Sequence, residues 1–162
     1  MKDGVSLVTT RREFCGHACQ LASLAAGGVL LTGCGGGGSP TSPSPAPTPS
    51  LSAIQGTVTG QTVSVTVGAG SPLTNVGSAA IVRTSLPAPF LVSRTAQDSF
   101  TALTAICTHE MCEITGFSGS RYVCPCHGSQ YSTGGAVLNG PATVSLRQFP
   151  TSFANGELTF TV

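Results

Sequence analysis

The stretch "CTHEMCEITGFSGSRYVCPCHGSQY", Cys107–Tyr131, gathers four of the chain's seven cysteines and two of its three histidines into 25 residues. One residue separates Cys107 from His109, and two separate Cys124 from His127. Both pairs follow strand-like runs. The 14 residues between His109 and Cys124 are enough for a hairpin that sets the two pairs face to face. Two thiolates with two imidazoles suit a zinc site or an iron–sulfur centre. A β domain stapled by cysteines with no metal is the plain alternative.

The sequence on either side reads as β structure. "AIQGTVTG" and "TVSVTVG" alternate with a period of two and predict a hairpin, Ala53–Gly60 with Thr62–Gly68, turning at Gly60 and Gln61. Further strands are expected in "SAAIVRT" (78–84), "FLVSRT" (90–95), "SFTALTAIC" (99–107), "RYVC" (121–124), "TVSLRQF" (143–149) and "GELTFTV" (156–162). Pro87 and Pro89 break the run between the first and second of these. No window has the period of an amphipathic helix. The expected fold is all-β, an antiparallel sandwich or barrel of eight to ten strands.

The two cysteine–histidine loops resemble the Rieske iron–sulfur family, whose pattern is C-x-H in one loop and C-x-x-H in the next. It stands as "CTHEMC" at 107–112 and "CPCHGSQY" at 124–131, with "GPA" at 140–142 like the family's proline loop. The resemblance implies a Rieske-like sandwich or barrel with two cluster-binding loops at one tip, and one [2Fe-2S] cluster per chain. Cys107 and Cys124 would bind one iron as thiolates; His109 and His127 would bind the other through imidazole nitrogen. Neutral imidazoles in place of two thiolates make the cluster less negative and raise its potential. The same histidines would face outward and couple proton to electron. Cys112 and Cys126 match the disulfide of the high-potential branch. Ser129 matches the serine that bonds a bridging sulfide, and Tyr131 the tyrosine that bonds a ligand sulfur, here Cys107. Gly128 would let backbone come close, and Gly140, Pro141 and Ala142 would form a lid. Met111 reads as packing rather than as a ligand. Glu110 departs from the quinol-oxidising members, which usually carry Leu after the first histidine, and so changes the docking face.

The N-terminal region reads as an export signal, residues 1–33. Arg11 and Arg12, with Thr10 before and Phe14 beyond, resemble a twin-arginine signal. The apolar run Leu21–Leu31 has 11 residues, where a membrane-spanning helix needs about 20. "LTGC", Leu31–Cys34, looks like a lipobox, which implies that Cys34 is lipidated. Residues 35–50, "GGGGSPTSPSPAPTPS", have the composition of a tether. Only 51–162 can form a core, and at that size a metal or disulfide helps.

Beyond Cys34 the charges are four arginines (83, 94, 121, 147) against four acids (Asp98, Glu110, Glu113, Glu157). That balance offers no electrostatic track for nucleic acid and few surface ion pairs. A dioxygenase would need a second iron site, and past the signal both histidines are already used. The expected function is one-electron transfer by an exported, lipid-anchored protein on the outer face of a membrane. It would serve as the iron–sulfur subunit of a quinol:cytochrome c reductase-like complex, between a quinol and a c-type cytochrome. The alternatives are the small subunit of a periplasmic oxidase of arsenite-oxidase type, a free carrier, or a metal-free binding module.

Overall fold

The computed structural model describes residues 48–162. The export signal, Cys34 and nearly all of the tether therefore lie outside the described residues. The strands are β1 (Ser52–Gln55), β2 (Thr57–Thr59), β3 (Thr62–Thr66), β4 (Ala79–Arg83), β5 (Phe90–Ala96), β6 (Ser99–Thr104) and β7 (Gly116–Ser118). They continue as β8 (Arg121–Val123), β9 (Gln130–Ser132), β10 (Val137–Asn139), β11 (Gln148–Phe149), β12 (Thr151–Ala154) and β13 (Glu157–Thr161). The all-β expectation holds, with 13 short strands rather than eight to ten.

They form three sheets: β1-β4-β5-β6-β11, β12-β13-β3-β2 and β10-β9-β8-β7. The first lies at the centre, and alternation along its strands shows why. Ala80 and Val82 of β4, Phe90 and Val92 of β5, and Phe100 and Ala102 of β6 join a core with Val63, Val65, Leu158 and Phe160. The residues between them, Ile81, Leu91 and Leu103, join a second core with Ile114, Tyr122 and Tyr131. A sheet buried on both faces reads as a continuous apolar run, which is the texture of "AAIV" and "FLV". The second core supports the four-stranded sheet that carries the cysteine–histidine loops.

Two expectations are corrected. The first hairpin is shorter than its sequence suggests, because the chain leaves it at Gly56. Of its first arm only β2 pairs with β3, while β1 runs parallel to β4. A Cβ at Gly56 would lie 2.9 Å from Val82 Cγ1 and 3.1 Å from Val63 Cγ1, so the crossing from one sheet to the other needs glycine. In 143–149 only Gln148 and Phe149 pair as a strand. The preceding residues spend their backbone elsewhere: Leu146 N–H donates to Gly135 O, and Val144 O accepts from Thr108 Oγ1.

Charge pairing is sparse, as expected. Among the described residues one arginine meets a carboxylate, Arg83 with Glu113 at 2.5 Å. Arg94 is buried without an acid. It donates to the carbonyls of Thr74 and Gln97 and lies over the Phe100 ring at 5.3 Å, tying the loop before β4 to β5.

Candidate metal centre

Both loops are closed by short backbone bonds. After β6, Ile106 and Glu113 form an isolated bridge, and Cys107 N–H donates to Cys112 O at 2.8 Å. That closes 107–112 as a tight loop. After β8, Cys124 N–H donates to Ser129 O at 2.8 Å and Gly128 N–H to Cys124 O at 3.0 Å, which closes 124–129 before β9 begins. The hairpin β7–β8 fills the interval between them, as the spacing predicts. Cys112 and Cys126 form a disulfide that joins one loop to the other, with Cα atoms 6.6 Å apart.

The four candidate ligands separate by depth. Cys107 and Cys124 are free thiols, 2% and 1% exposed, at the edge of the second core. His109 and His127 are exposed, with ring centroids 5.0 Å apart and planes at 85°. Glu110 Oε2 is 3.7 Å from His127 Nδ1. The structure thus assembles a thiol pair beneath an imidazole pair, each drawn from both loops.

Burial pushes the Cys107 thiol up, but the Tyr131 hydroxyl, the backbone of His109 and Glu110 and the Cys124 side chain outweigh it and hold it below the usual thiol range. Burial pushes Cys124 up, and its neighbour Cys107 adds to the rise. Two thiols that resist ionising together are a poor place for two bare negative charges and a suitable one for a cation that both can bind.

Tyr131 is fully buried, and burial first, then Cys107, keeps its hydroxyl protonated to higher pH. That oxygen accepts from Thr108 N–H at 3.3 Å and lies 3.3 Å from Cys107 Sγ. Thr108 Oγ1 gives its proton to Val144 O at 2.6 Å, so in the 3.0 Å contact with Tyr131 it can only accept. The tyrosine proton is therefore shared between Cys107 sulfur and Thr108. Sequence reading did not single out Thr108, although it stands inside "CTH". Ser129, also fully buried, accepts from Ala142 N–H at 3.2 Å and keeps its own hydroxyl proton to donate.

The glycines of the site differ in what demands them. A Cβ at Gly128 would meet no protein atom within 4 Å, and its φ of +72° calls for glycine. The close approach is at Gly140, where φ is +96° and a Cβ would fall 2.6 Å from Ser129 Cα. Here 140–142 lie against loop 124–129, with Pro141 exposed and Ala142 buried. Gly140→Ala is expected to destabilise the folded protein by about 1–3 kcal/mol, because both the backbone angle and the contact are forbidden to alanine. Denaturant unfolding of the purified variant measures it. Met111 also differs from expectation: it is 81% exposed and lies outside both cores. The short loop Cys107–Cys112, pinned at both ends, holds it out toward solvent.

Buried thiols under exposed imidazoles, on two loops clamped at one end of a β domain, make a candidate metal centre of the zinc or iron–sulfur kind. Comparison with known proteins makes this specific. The profile of the Rieske [2Fe-2S] domain matches residues 61–150, more than half of the chain. The chain belongs to the Rieske [2Fe-2S] family, and its cofactor is a [2Fe-2S] cluster. It is similar to the cytochrome b6-f complex iron-sulfur subunit of Prochlorococcus marinus (strain MIT 9301), 44% identical over 61 residues, 37% of this chain and 34% of that one. The corresponding subunit of Cyanothece sp. (strain PCC 7425 / ATCC 29141) is 42% identical over 60 residues, 36% of this chain and 34% of that one. The chain thus spans about a third of the length of these curated relatives. The crystal structure of the plasma membrane Rieske protein PetC3 from Synechocystis PCC 6803 superposes with a TM-score of 0.51 at 26% identity, covering 60% of this chain and 99% of that one.

Proposed function

We propose that Cys107 and Cys124 hold one iron of the cluster and His109 and His127 the other. We further propose that the protein is an exported, lipid-anchored electron carrier of a quinol:cytochrome c reductase-like complex. The observation that carries the ligand assignment is the pairing of buried thiols with exposed imidazoles across the two loops. The partner assignment is supported by the likeness to cytochrome b6-f iron-sulfur subunits. When bound, the cluster accepts and returns one electron. The chain's own residues do the rest. Cys107 and Cys124 sit out of water on the second core, so the low dielectric strengthens every hydrogen bond to their sulfurs. His109 and His127 sit in solvent, where a ring nitrogen not engaged with metal can hold or release a proton. Tyr131 and Ser129 offer hydroxyl protons from below, stabilising added negative charge.

Tyr131→Phe removes the donor at Cys107 and should lower the midpoint potential. A net hydrogen bond of about 1 kcal/mol corresponds to roughly 40 mV for one electron. Tyr122→Phe is the control. Tyr122 stands directly opposite Tyr131 in the β8–β9 ladder and is equally buried. Its hydroxyl makes no hydrogen bond among the described residues, Ser93 lying close without adequate geometry. Removing it should leave the potential unchanged and stability within about 1 kcal/mol of wild type. Redox titration followed by EPR measures both.

The partner assignment is tested in membranes. Deleting the gene should abolish quinol-dependent reduction of cytochrome c, and restoring it should recover the rate. Unaltered quinol oxidation in the deletion, with the protein co-purifying with a molybdenum oxidase subunit, would instead assign it to a periplasmic oxidase. Globomycin-sensitive processing and loss of membrane attachment in Cys34→Ala test the anchor.

A further inference from the structure

A cleft of about 330 Å³ opens between β11 and the loop that joins β4 to β5. Its apolar walls are Leu86, Pro87, Ala88, Phe90, Phe149 and Val162. None of its lining belongs to either cysteine–histidine loop. A cavity of that size falls within the range of small-molecule sites.

The walls are set in advance of any ligand. Leu86 N–H donates to Thr84 Oγ1 at 3.0 Å, and Pro89 O accepts from Ala105 N–H at 3.1 Å. Proline fixes the backbone at 87 and 89, so the loop has little freedom to fall into the cleft. Phe90 and Phe149 meet edge to face, with ring centroids 5.3 Å apart, and both belong to the first core.

Two polar side chains complete the lining, Arg147 and Thr104, and both are donors. Arg147 O accepts from Thr104 N–H at 2.9 Å, so the two residues stand side by side. Among the described residues the Arg147 guanidinium meets no carboxylate; it lies over the Phe149 ring at 4.7 Å. Stacking occupies the face of a guanidinium and leaves its N–H edge to bind. Thr104 Oγ1 accepts from Ile106 N–H at 3.2 Å and keeps its own proton to give. The other three arginines beyond Cys34 are engaged: Arg83 by Glu113, Arg94 by the carbonyls of Thr74 and Gln97, Arg121 by Gln130. No acidic side chain lines the cleft. Apolar walls with a positively charged, donor-only end complement a ligand whose one polar group is an anionic acceptor.

We propose that this cleft binds a small organic monocarboxylate with an apolar body. The carboxylate takes the N–H edge of Arg147 and the Thr104 hydroxyl, and the hydrocarbon part lies against the phenylalanine and proline walls. The site uses no residue assigned to the cluster and does not rest on the electron-transfer reading.

The test is methyl NMR of the full-length holoprotein in phosphatidylcholine nanodiscs, titrated with 2-naphthoate and, separately, with its neutral counterpart 2-naphthamide. The methyl signals of Leu86, Ala88 and Val162 should shift saturably with 2-naphthoate, while those of Val76 and Leu138, exposed elsewhere, stay in place. Arg147→Gln should weaken 2-naphthoate about tenfold, the worth of a charge-assisted hydrogen bond, and change the affinity for 2-naphthamide less than about twofold. Arg147 is exposed, so this variant should keep the wild-type spectrum outside the cleft. Ala88→Leu, which fills the cleft from the loop side, should weaken both ligands. No saturable shift at the lining methyls by about 10 mM 2-naphthoate, a concentration that detects even weak sites, would overturn the proposal. Equal affinity of wild type and Arg147→Gln for 2-naphthoate, or 2-naphthamide binding as tightly as 2-naphthoate, would overturn it as well. EPR of the same reduced samples reports the cluster separately, so the failure of either reading is seen without the other.

Discussion

His127→Ala and Cys124→Ser are each expected to yield folded, exported protein with less than about a tenth of the wild-type iron. Loss of an outer-shell partner alone typically costs 10–100-fold in metal affinity, and loss of a direct ligand should cost at least that. The two substitutions differ in what they leave behind. His127 is exposed, so its removal costs the fold little, and the apoprotein should retain its unfolding transition. Cys124 is buried and bonded through its backbone to Ser129 and Gly128, and serine preserves that backbone while removing the soft ligand. His127→Cys separates ligand number from ligand charge. If it assembles a cluster, the added thiolate should lower the potential, since an all-neutral imidazole pair is what makes this centre less negative. Iron and sulfide content with EPR of the reduced protein measures all three. Full iron content in His127→Ala would refute the histidine assignment.

Cys112→Ser with Cys126→Ser is the second large effect. The disulfide spans 14 residues of sequence and ties two loops whose own closures are a few backbone bonds each. Closing a loop of that length is worth about 3 kcal/mol in the unfolded chain. The loss should also fall on the site itself. Cys112 O accepts from Cys107 N–H, so loosening the first loop loosens a candidate ligand directly. The double variant should unfold at lower denaturant and release iron to a chelator faster than wild type, while Gly140→Ala strains the same end from the lid side. Unchanged iron-release kinetics would show that the backbone closures alone hold the loops.

The candidate ligands were legible in the sequence because residue type and spacing pick them out. Cys107, His109, Cys124 and His127 need only a hairpin between them, and Gly116–Val123 supplies it. Strands β4 and β5 were legible for a different reason: each is a continuous apolar run bounded by turn residues, as a sheet buried on both faces requires, while β6 is long enough to show alternation. Strands β7, β9 and β10 have three residues each, too few to establish alternation, and they were missed. The parallel pairing of β1 was hidden because Gly56 interrupts what reads as one continuous strand, and only the approach of Val82 and Val63 explains the break. The proton bookkeeping at Tyr131 depends on Thr108 and Val144, which come together only in three dimensions. Met111 went the other way. Its apolar character suggested packing, but the loop that holds it has no core to offer.

The most direct test is analysis of the holoprotein, exported by its native route, for metal, acid-labile sulfide and EPR after one-electron reduction. Two irons and two sulfides per chain, with one unpaired electron on reduction, are the predicted result. One zinc per chain, or folded protein with neither iron nor signal, would contradict the assignment of Cys107, His109, Cys124 and His127.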